Sequence, residues 1–180
     1  MIEMIESFDY TILDWFISIQ NPILTSVMKT LTNVGEWGIL WICIAIVLII
    51  KKSTRHIGIT VLLALILSAV VCNGVLKNVV ARPRPCWLHP KINMLIGIPT
   101  DYSFPSGHTS SSFAAAVAML AWNKVIGIPA VVTACIMGIT RLYFTVHFPT
   151  DVIAGAVIGA MLGFVAYTVV NRQKRNLTFD

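Results

Sequence analysis

Charged residues are scarce in this sequence. They make up 12% of the 180 residues, whereas 57% are hydrophobic, and the mean hydropathy is +0.81. The apolar residues also come in runs that are too long and too uniform for the amphipathic surface helices of a soluble domain. This composition excludes a soluble globular class and predicts an all-α integral-membrane helical bundle that forms one domain over residues 1–180.

Patterns that would indicate a metal centre, a disulfide framework or a signal peptide are missing as well. The four cysteines have no metal-ligand spacing, and three of them lie within apolar stretches. The opening stretch, MIEMIESFDYTILDWF, carries acidic rather than basic side chains, so we expect it to belong to the mature protein. The net charge of +5 is scattered among apolar runs, which argues against a nucleic-acid partner.

Five segments are apolar enough to be predicted as transmembrane helices. They cover residues 36–50, 57–78, 107–122, 125–144 and 150–170. The N-terminal segment 1–35 is interrupted by the residues QNP at 20–22 and carries Asp9 and Asp14. We therefore predict that this segment lies at the membrane interface or re-enters, with a sixth span as the alternative, so that the bundle has five to six transmembrane helices.

The basic residues predict the orientation of the bundle. In a five-span topology, one group of basic residues lies on the same side of the membrane, and the positive-inside rule predicts that this side is cytoplasmic. The group consists of Lys51, Lys52, Arg55, Lys124, Arg172, Lys174 and Arg175. A second group collects on the extracytoplasmic side, against that rule: Lys77, Arg82, Arg84, Lys91 and Arg141. Because these cations contradict the positive-inside rule, their position needs an explanation other than membrane topology.

The first candidate motif is KNVVARPRP, in which Lys77 stands near the end of a predicted span and Arg84 follows seven residues later. Two fixed cations in or near a membrane are costly unless an anion neutralises them. Taken alone, the motif is equally compatible with side chains that snorkel to the interface.

The second motif is SFPSGH, which precedes a helix rich in small residues. Ser106 marks the helix start, Gly107 allows a ligand to approach the backbone, and the N–H groups of the first turn form an anion site. His108 lies in that first turn. The alternative interpretation is that His108 is an ordinary histidine of the helix-capping region.

The third motif is TRLYFTVHFPTD, with Arg141 six residues before His147 and Asp151 four residues after it. Pro149 suits the first turn of a helix, so Asp151 can reach back to the histidine that precedes that helix. A histidine and an aspartate at this spacing are weak evidence alone, but they share a membrane face with the other two motifs.

Together the three motifs predict phosphoryl transfer. Lys77, Arg84, Arg141 and the backbone N–H groups near Ser106 and Gly107 are the donors that a phosphoryl group in transfer requires.

Two histidines complete the chemistry. His147, oriented by Asp151, suits the nucleophile, and His108 suits the general acid and then the general base. Of the eight acidic residues, only Asp101 and Asp151 lie in this region, too few for a two-metal carboxylate site. We therefore expect no metal and no cofactor.

These motifs resemble, in order and in internal spacing, the three signature motifs of the type 2 phosphatidic acid phosphatase family, which is related to the vanadium haloperoxidases. The resemblance spans Lys77 to Asp151 and implies a metal-independent bundle, often of six spans, with its site at the outer membrane interface. It assigns phosphate binding to Lys77, Arg84, Ser106, Gly107 and Arg141, acid/base catalysis to His108, the nucleophile to His147 and its orientation to Asp151. Thr140 departs from the usual serine, which leaves the geometry of a hydroxyl contact to phosphate in doubt.

A membrane-integral phosphatase that hydrolyses lipid phosphates or diphosphates is thus the predicted function. The alternative from another class is a non-catalytic lipid-phosphate binding or transport protein, which could dispense with His147 and Asp151. A soluble haloperoxidase is disfavoured by the apolar runs, and a transferase would need an acceptor pocket that the sequence does not reveal.

The substrate is expected to be a membrane lipid, because the motif residues lie at span ends near the headgroups. The loop between Pro85 and Phe104 is short, which indicates a permissive site. Together with the family resemblance, the small size and extracytoplasmic site favour a bacterial undecaprenyl diphosphate phosphatase of the cell membrane, with phosphatidylglycerol phosphate and phosphatidic acid as alternatives. The expected partners are the lipid substrate and the bilayer, and the sequence leaves protein partners unknown.

Overall fold

The computed structural model of the chain describes residues 2–88 and 94–176, and within this part it is helical without strands. Lys91, one of the predicted extracytoplasmic cations, lies outside the described residues. The α-helices are α1 (Ile2–Ser18), α2 (Pro22–Val34), α3 (Ile39–Ile50), α4 (Arg55–Ser68), α5 (Lys77–Val80), α6 (Pro85–Leu88), α7 (Gly107–Trp122), α8 (Lys124–Tyr143) and α9 (Pro149–Asn176).

The helix at the centre of the bundle is α7, which contacts α4, α8 and α9. Apart from Met119, its buried residues are small, and Ala114, Ala115 and Ala116 are fully inaccessible. Small side chains let neighbouring backbones approach closely, which is how helices pack in lipid. The alanine-rich sequence after the second motif therefore places α7 at the core of the bundle.

Three glycines of α9 form a stripe that faces α7. A Cβ atom at Gly159 would lie 2.2 Å from the carbonyl oxygen of Ser110, and one at Gly163 would lie 2.4 Å from that of Ala114. Only glycine permits this approach of the two backbones. The opposite face of α9 exposes a stripe of large apolar side chains suited to lipid: Ile153, Val157, Met161 and Phe164.

The predicted all-α membrane bundle is confirmed, and all five predicted segments are helical. By length and composition three described helical stretches can cross a membrane, and they begin at Arg55, Lys124 and Pro149. A fourth span results if α2 and α3, which are bent by 49°, act as one. The 16-residue α7 is shorter than these spans although it lies at the centre of the bundle.

A π-helical segment, Ala69–Leu76, continues α4 into α5. Such wide turns occur frequently at functional sites. Here the segment brings Asn73 against the start of α7, since a Cβ atom at Gly107 would lie 2.7 Å from Asn73 Oδ1. A side chain at position 107 would therefore require Asn73 to move.

The N-terminal helices lie against the end of the bundle where α8 stops and α9 starts. Gln20 Nε2 donates to the carbonyl oxygen of Tyr143 at 2.9 Å, and Thr25 Oγ1 lies 2.7 Å from the Tyr143 hydroxyl. Farther back in α1, Asp9 accepts a hydrogen bond from the backbone N–H of Thr150 at 3.0 Å. The position of this segment relative to the membrane stays a prediction.

Candidate active site

One cavity of about 1120 Å³ collects most of the predicted site residues. Six of the eight predicted residues line it: Lys77, Arg84, Gly107, His108, Arg141 and His147. They come from the three sequence motifs, which the packing of α5, α7 and α8 brings together. Asp151 and Ser106 are fully buried and do not line the cavity.

Arg84 is held by hydrogen bonds from three directions. Its Nε donates to the carbonyl oxygen of Asp101 and its Nη1 to that of Val146, each at 2.7 Å, and Nη1 also lies 3.1 Å from His147 Nε2. The side chain is 2% exposed. A guanidinium fixed in this way next to the histidine is preorganised to meet a charge that develops there.

The Asp101 carboxylate lies between two of the predicted phosphate-binding cations. Lys77 Nζ donates to Asp101 Oδ2, and Arg84 Nη2 donates to Asp101 Oδ1 at 2.7 Å. Burial alone would raise the pKa of Asp101, but the hydrogen bond and charge of Lys77 and the charge of Arg84 lower it to about 2. Asp101 is therefore ionised at neutral pH.

Arg141 lies in the last turn of α8 and is contacted by α2. Its Nη1 donates to Thr32 Oγ1 at 2.6 Å, whereas its Nε is buried and lacks a hydrogen-bond partner among the described residues. A buried, unpaired guanidinium N–H is costly, and a phosphate oxygen in the cavity would relieve that cost. This donor supports a role for Arg141 in anion binding.

The hydroxyls of Ser106 and Thr140 do not face the cavity. Ser106 Oγ lies 2.9 Å from Thr109 Oγ1, and Thr140 Oγ1 donates to the carbonyl oxygen of Met137 at 2.7 Å. The backbone N–H of Ser106 donates to the carbonyl oxygen of Asp151 at 3.1 Å. Ser106, predicted as a phosphate contact, instead joins the start of α7 to the start of α9.

The predicted pair of His147 and Asp151 is present as an ion-pair contact, with 3.8 Å between His147 Nδ1 and Asp151 Oδ2. This distance is too long for a direct hydrogen bond. Ser103 lies between them, because its Oγ is 3.4 Å from His147 Nδ1 and donates to Asp151 Oδ2 at 2.5 Å. Asp151 therefore acts on the ring partly through the Ser103 hydroxyl.

His147 stands in the turn between α8 and α9. Burial lowers its pKa to about 3, and the charges of Arg84 and Arg141 act in the same direction, although Asp151 opposes them. The imidazole is therefore neutral at physiological pH. Because Nδ1 faces Ser103 and Asp151, Nε2 is left on the side of Arg84, 3.1 Å from its Nη1, and both residues line the cavity, which suits a nucleophile for a phosphate bound by that arginine.

Three members of the site are not among the residues predicted from the sequence. Ser103 bridges His147 and Asp151, Thr32 holds Arg141, and Arg82 binds Asp151. In the sequence, Arg82 stands out only as one of the cations on the extracytoplasmic side of the membrane. Its place next to Arg84 in KNVVARPRP was the signal that it belongs to the site.

Among the described residues, no group of three or more His, Cys, Asp or Glu side chains is placed to hold a metal ion. Four cations of this part of the chain line the cavity, namely Lys29, Lys77, Arg84 and Arg141, together with the two carboxylates of Glu36 and Asp101. An anion can therefore be bound by protein cations directly, as the sequence predicts.

Comparison with known proteins identifies the family. Residues 58–175 match the PAP2 superfamily. The chain is 35% identical over 150 residues to the undecaprenyl-diphosphatase of Sulfolobus acidocaldarius, covering 81% of this chain and 70% of that protein. It is 31% identical over 155 residues to the undecaprenyl-diphosphatase BcrC of Bacillus subtilis, covering 84% and 77%.

Two crystal structures resemble the fold. A transmembrane PAP2-type phosphatidylglycerolphosphate phosphatase from Bacillus subtilis superposes with a TM-score of 0.77 at 27% identity, covering 94% of this chain and 87% of that one. LpxE from Aquifex aeolicus superposes with a TM-score of 0.78 at 28% identity, covering 89% and 94%. The chain is thus a member of the PAP2 superfamily and a multi-pass, membrane-integral lipid phosphatase.

Proposed function

We propose that this phosphatase removes the terminal phosphate of a polyprenyl diphosphate of the undecaprenyl type, at the extracytoplasmic face of the membrane. The observation that carries the proposal is a single cavity with a cationic end and an apolar end. Undecaprenyl-diphosphatases among the relatives support the choice of lipid.

The cationic end accounts for the reaction. The terminal phosphate would bind Lys77, Arg84 and Arg141, with His147 Nε2 in line with the bond that breaks. The Nε2–P bond forms while the P–O bond to the leaving prenyl phosphate breaks, and His108 protonates the leaving oxygen. Asp151 and Ser103 hold Nδ1 and stabilise the positive charge that develops on the ring.

The second half of the cycle returns the enzyme to its starting state. His108, now neutral, takes a proton from a water molecule that attacks phosphorus. The Nε2–P bond breaks, inorganic phosphate leaves, and His108 again carries the proton for the next leaving group. The overall reaction consumes one water and needs no redox partner or acceptor lipid.

The apolar end supports entry of the substrate from the bilayer. This wall of the cavity is formed by α3 and α4 through Ile42, Leu62, Leu65 and Ile66. Ile42 and Ile66 are also exposed, by 38% and 60%. A prenyl chain could therefore remain in lipid between these helices while its diphosphate reaches the cations.

The distribution of charge supports the extracytoplasmic location. Lys51, Lys52 and Arg55 lie at the junction of α3 and α4, and Arg172 and Lys174 lie near the end of α9. The cavity cations lie at the opposite ends of α4 and α9. By the positive-inside rule, this distribution supports a cytoplasmic position for the first group and an extracytoplasmic site.

Phosphatidylglycerol phosphate is the second candidate substrate, because the crystal structure of a phosphatidylglycerolphosphate phosphatase superposes on nearly the whole chain. We would compare undecaprenyl diphosphate, phosphatidylglycerol phosphate, phosphatidic acid and a water-soluble phosphate ester in liposomes. The diphosphate should give the highest kcat/KM. A soluble ester turned over as efficiently as the lipids would refute entry from the bilayer.

The covalent intermediate is tested separately. A substrate labelled in its terminal phosphate should transfer acid-labile, base-stable label to the enzyme when turnover is quenched, and His147→Ala should abolish both the label and turnover. Full activity of His147→Ala would contradict the assignment of the nucleophile.

A further inference from the structure

Helix α1 carries a fully buried carboxylate at Asp9, in a helix whose other acidic residues are exposed. Asp9 Oδ1 accepts from the backbone N–H of Thr150 at 3.0 Å, and Oδ2 accepts from Thr150 Oγ1 at 2.7 Å. Asp9 Oδ2 also accepts from Arg82 Nη2 at 2.7 Å. A buried carboxylate with this many donors is held in one orientation.

Arg82 connects Asp9 to the site. Its Nη2 binds Asp9, and its Nη1 donates to Asp151 Oδ1 at 2.6 Å and to Thr150 Oγ1 at 2.7 Å. The guanidinium also lies 4.0 Å from the centre of the Phe148 ring. Because its two ends bind different carboxylates, the planar fork fixes the distance between α1 and the start of α9.

Asp151 passes this constraint to the nucleophile. Arg82 occupies its Oδ1, so its Oδ2 is left for Ser103 Oγ and for the backbone N–H of Phe148, at 2.9 Å. That same Oδ2 lies 3.8 Å from His147 Nδ1. Arg82 therefore fixes the orientation of the Asp151 carboxylate. Through that carboxylate it also fixes the orientation of the His147 ring.

The charges of the three residues reinforce the geometry. Asp9, Arg82 and Asp151 together carry one net negative charge, which favours the positive charge that His147 gains as it attacks phosphorus. Without the negative charge of Asp9, the three residues together are neutral. Arg82 then keeps Asp151 as its charged partner and is no longer held between two carboxylates. Both effects would slow the chemical step more than they would weaken binding of the substrate.

We propose that Asp9 is a positioning residue for His147, acting through Arg82 and Asp151. It comes from α1, which precedes residues 58–175 that match the family. The inference rests on the proposed role of His147 as nucleophile. Helix α1 is then a part of the catalytic apparatus as well as a part of the fold.

The test compares Asp9→Asn with Asp14→Asn, in which an exposed carboxylate of the same helix is changed. Asparagine keeps the size of Asp9 and an acceptor for Thr150 but removes the charge. With a short-chain prenyl diphosphate in detergent, we expect Asp9→Asn to lower kcat about 10- to 100-fold, by analogy with residues that orient metal ligands. KM should change less than about twofold, and Asp14→Asn should match the wild type.

The pH dependence of kcat/KM provides a second test, because a purely structural role of Asp9 would leave it unchanged. The groups that face His147 are Arg84, Arg141 on α8, His108 on α7 and Asp151 on α9, and Asp9→Asn changes none of them directly. Loss of the Asp9 charge favours the neutral imidazole, so the acidic limb of kcat/KM that belongs to His147 should move to lower pH. A profile and a kcat equal to those of the wild type would overturn the proposal.

A double-mutant cycle then tests the route through Arg82. If Asp9 acts through Arg82, adding Asp9→Asn to Arg82→Gln should cause no further loss of kcat, whereas independent effects would multiply. If Asp9→Asn does not fold, Arg82→Lys is measured instead, because lysine cannot bind both carboxylates as a fork. An unchanged kcat in that variant would also overturn the proposal.

Trapping of the phosphorylated enzyme separates this inference from the proposed function. Absence of labelled histidine in the wild type would refute the role of His147. A labelled wild type together with an Asp9→Asn variant that is labelled at the same rate would refute only the role of Asp9.

Discussion

The Arg84 guanidinium binds Asp101 through both its side chain and its backbone, since Nη2 donates to the carboxylate oxygen Oδ1 and Nε donates to the carbonyl oxygen, each at 2.7 Å. Lys77 binds the other carboxylate oxygen. In this structure a carboxylate thus neutralises the cations to which we assign the substrate phosphate. Substrate binding must replace it with phosphate oxygens.

Replacing Asp101 with asparagine should strengthen inhibition by vanadate and inorganic phosphate. The neutral amide competes less well for Lys77 and Arg84, so we expect the inhibition constants to fall about 3- to 10-fold, or up to about 1.4 kcal/mol. Inhibition assays at fixed pH and salt would measure this. Unchanged constants would show that Asp101 does not compete with phosphate.

Exchange of Arg84 or Arg141 for lysine should each lower kcat/KM about 10²-fold or more, the effect of removing one preorganised donor to a developing charge. Lysine keeps the charge but loses the planar fork that lets Arg84 contact Asp101, Val146 and His147 together. Arg172→Lys, at the far end of α9, is the matched control. Wild-type kinetics of both site variants would indicate that these cations serve membrane topology.

Activity should survive EDTA and should be inhibited by vanadate, which mimics five-coordinate phosphorus. The described cations around the cavity supply the positive charge that metal ions provide in two-metal phosphatases. Assays with EDTA, and with Mg²⁺ added back, would test this prediction. Strict dependence on added Mg²⁺ would contradict it.

The buried His147 should make stability depend on pH below neutrality. Its pKa is about 3 in the folded protein, whereas an unfolded histidine has a pKa near 6.5. Between these values the unfolded state binds more protons, so the free energy of unfolding should fall as the pH is lowered through this range. Thermal unfolding of detergent-solubilised His147→Gln should show a shallower dependence than the wild type, and identical slopes would contradict the prediction.

Substitution of Gly159 with alanine should separate α9 from α7, since the added Cβ would lie 2.2 Å from the Ser110 carbonyl oxygen. We expect a loss of about 1–3 kcal/mol in the free energy of unfolding, as for overpacked cores. Gly74→Ala is the control, because its Cβ would meet its nearest neighbour at an ordinary 3.7 Å. Equal unfolding temperatures of the two variants would refute the packing argument.

Much of the site could be predicted because its residues lie in three local motifs. Lys77 and Arg84 are close in sequence, and the spacing of His147 and Asp151 indicates that they meet at a helix start. Gly107 was predicted to permit close approach by a ligand, and in this structure the neighbour that approaches it is Asn73.

The remaining relationships could not be predicted because no local pattern encodes them. Asp9 and Thr150 are separated by 141 residues, and Thr32 and Arg141 by 109. Their contacts follow from the way α1 and α2 pack on the end of the bundle. For the same reason, Asp9 in the sequence indicates an interfacial segment, and it does not indicate a partner of Arg82.

The loop before α7 is anchored at closely spaced points. The backbone N–H of Ser103 donates to the Arg82 carbonyl oxygen at 2.8 Å, and that of Ser106 donates to Asp151. An inserted residue between Asp101 and Ser106 would therefore displace the start of α7 and inactivate the enzyme. Insertions before Ile96, where the described lining of the cavity by this loop starts, would leave both the anchors and the cavity wall in place, so new headgroup-recognition loops can be grafted there without rebuilding the catalytic centre.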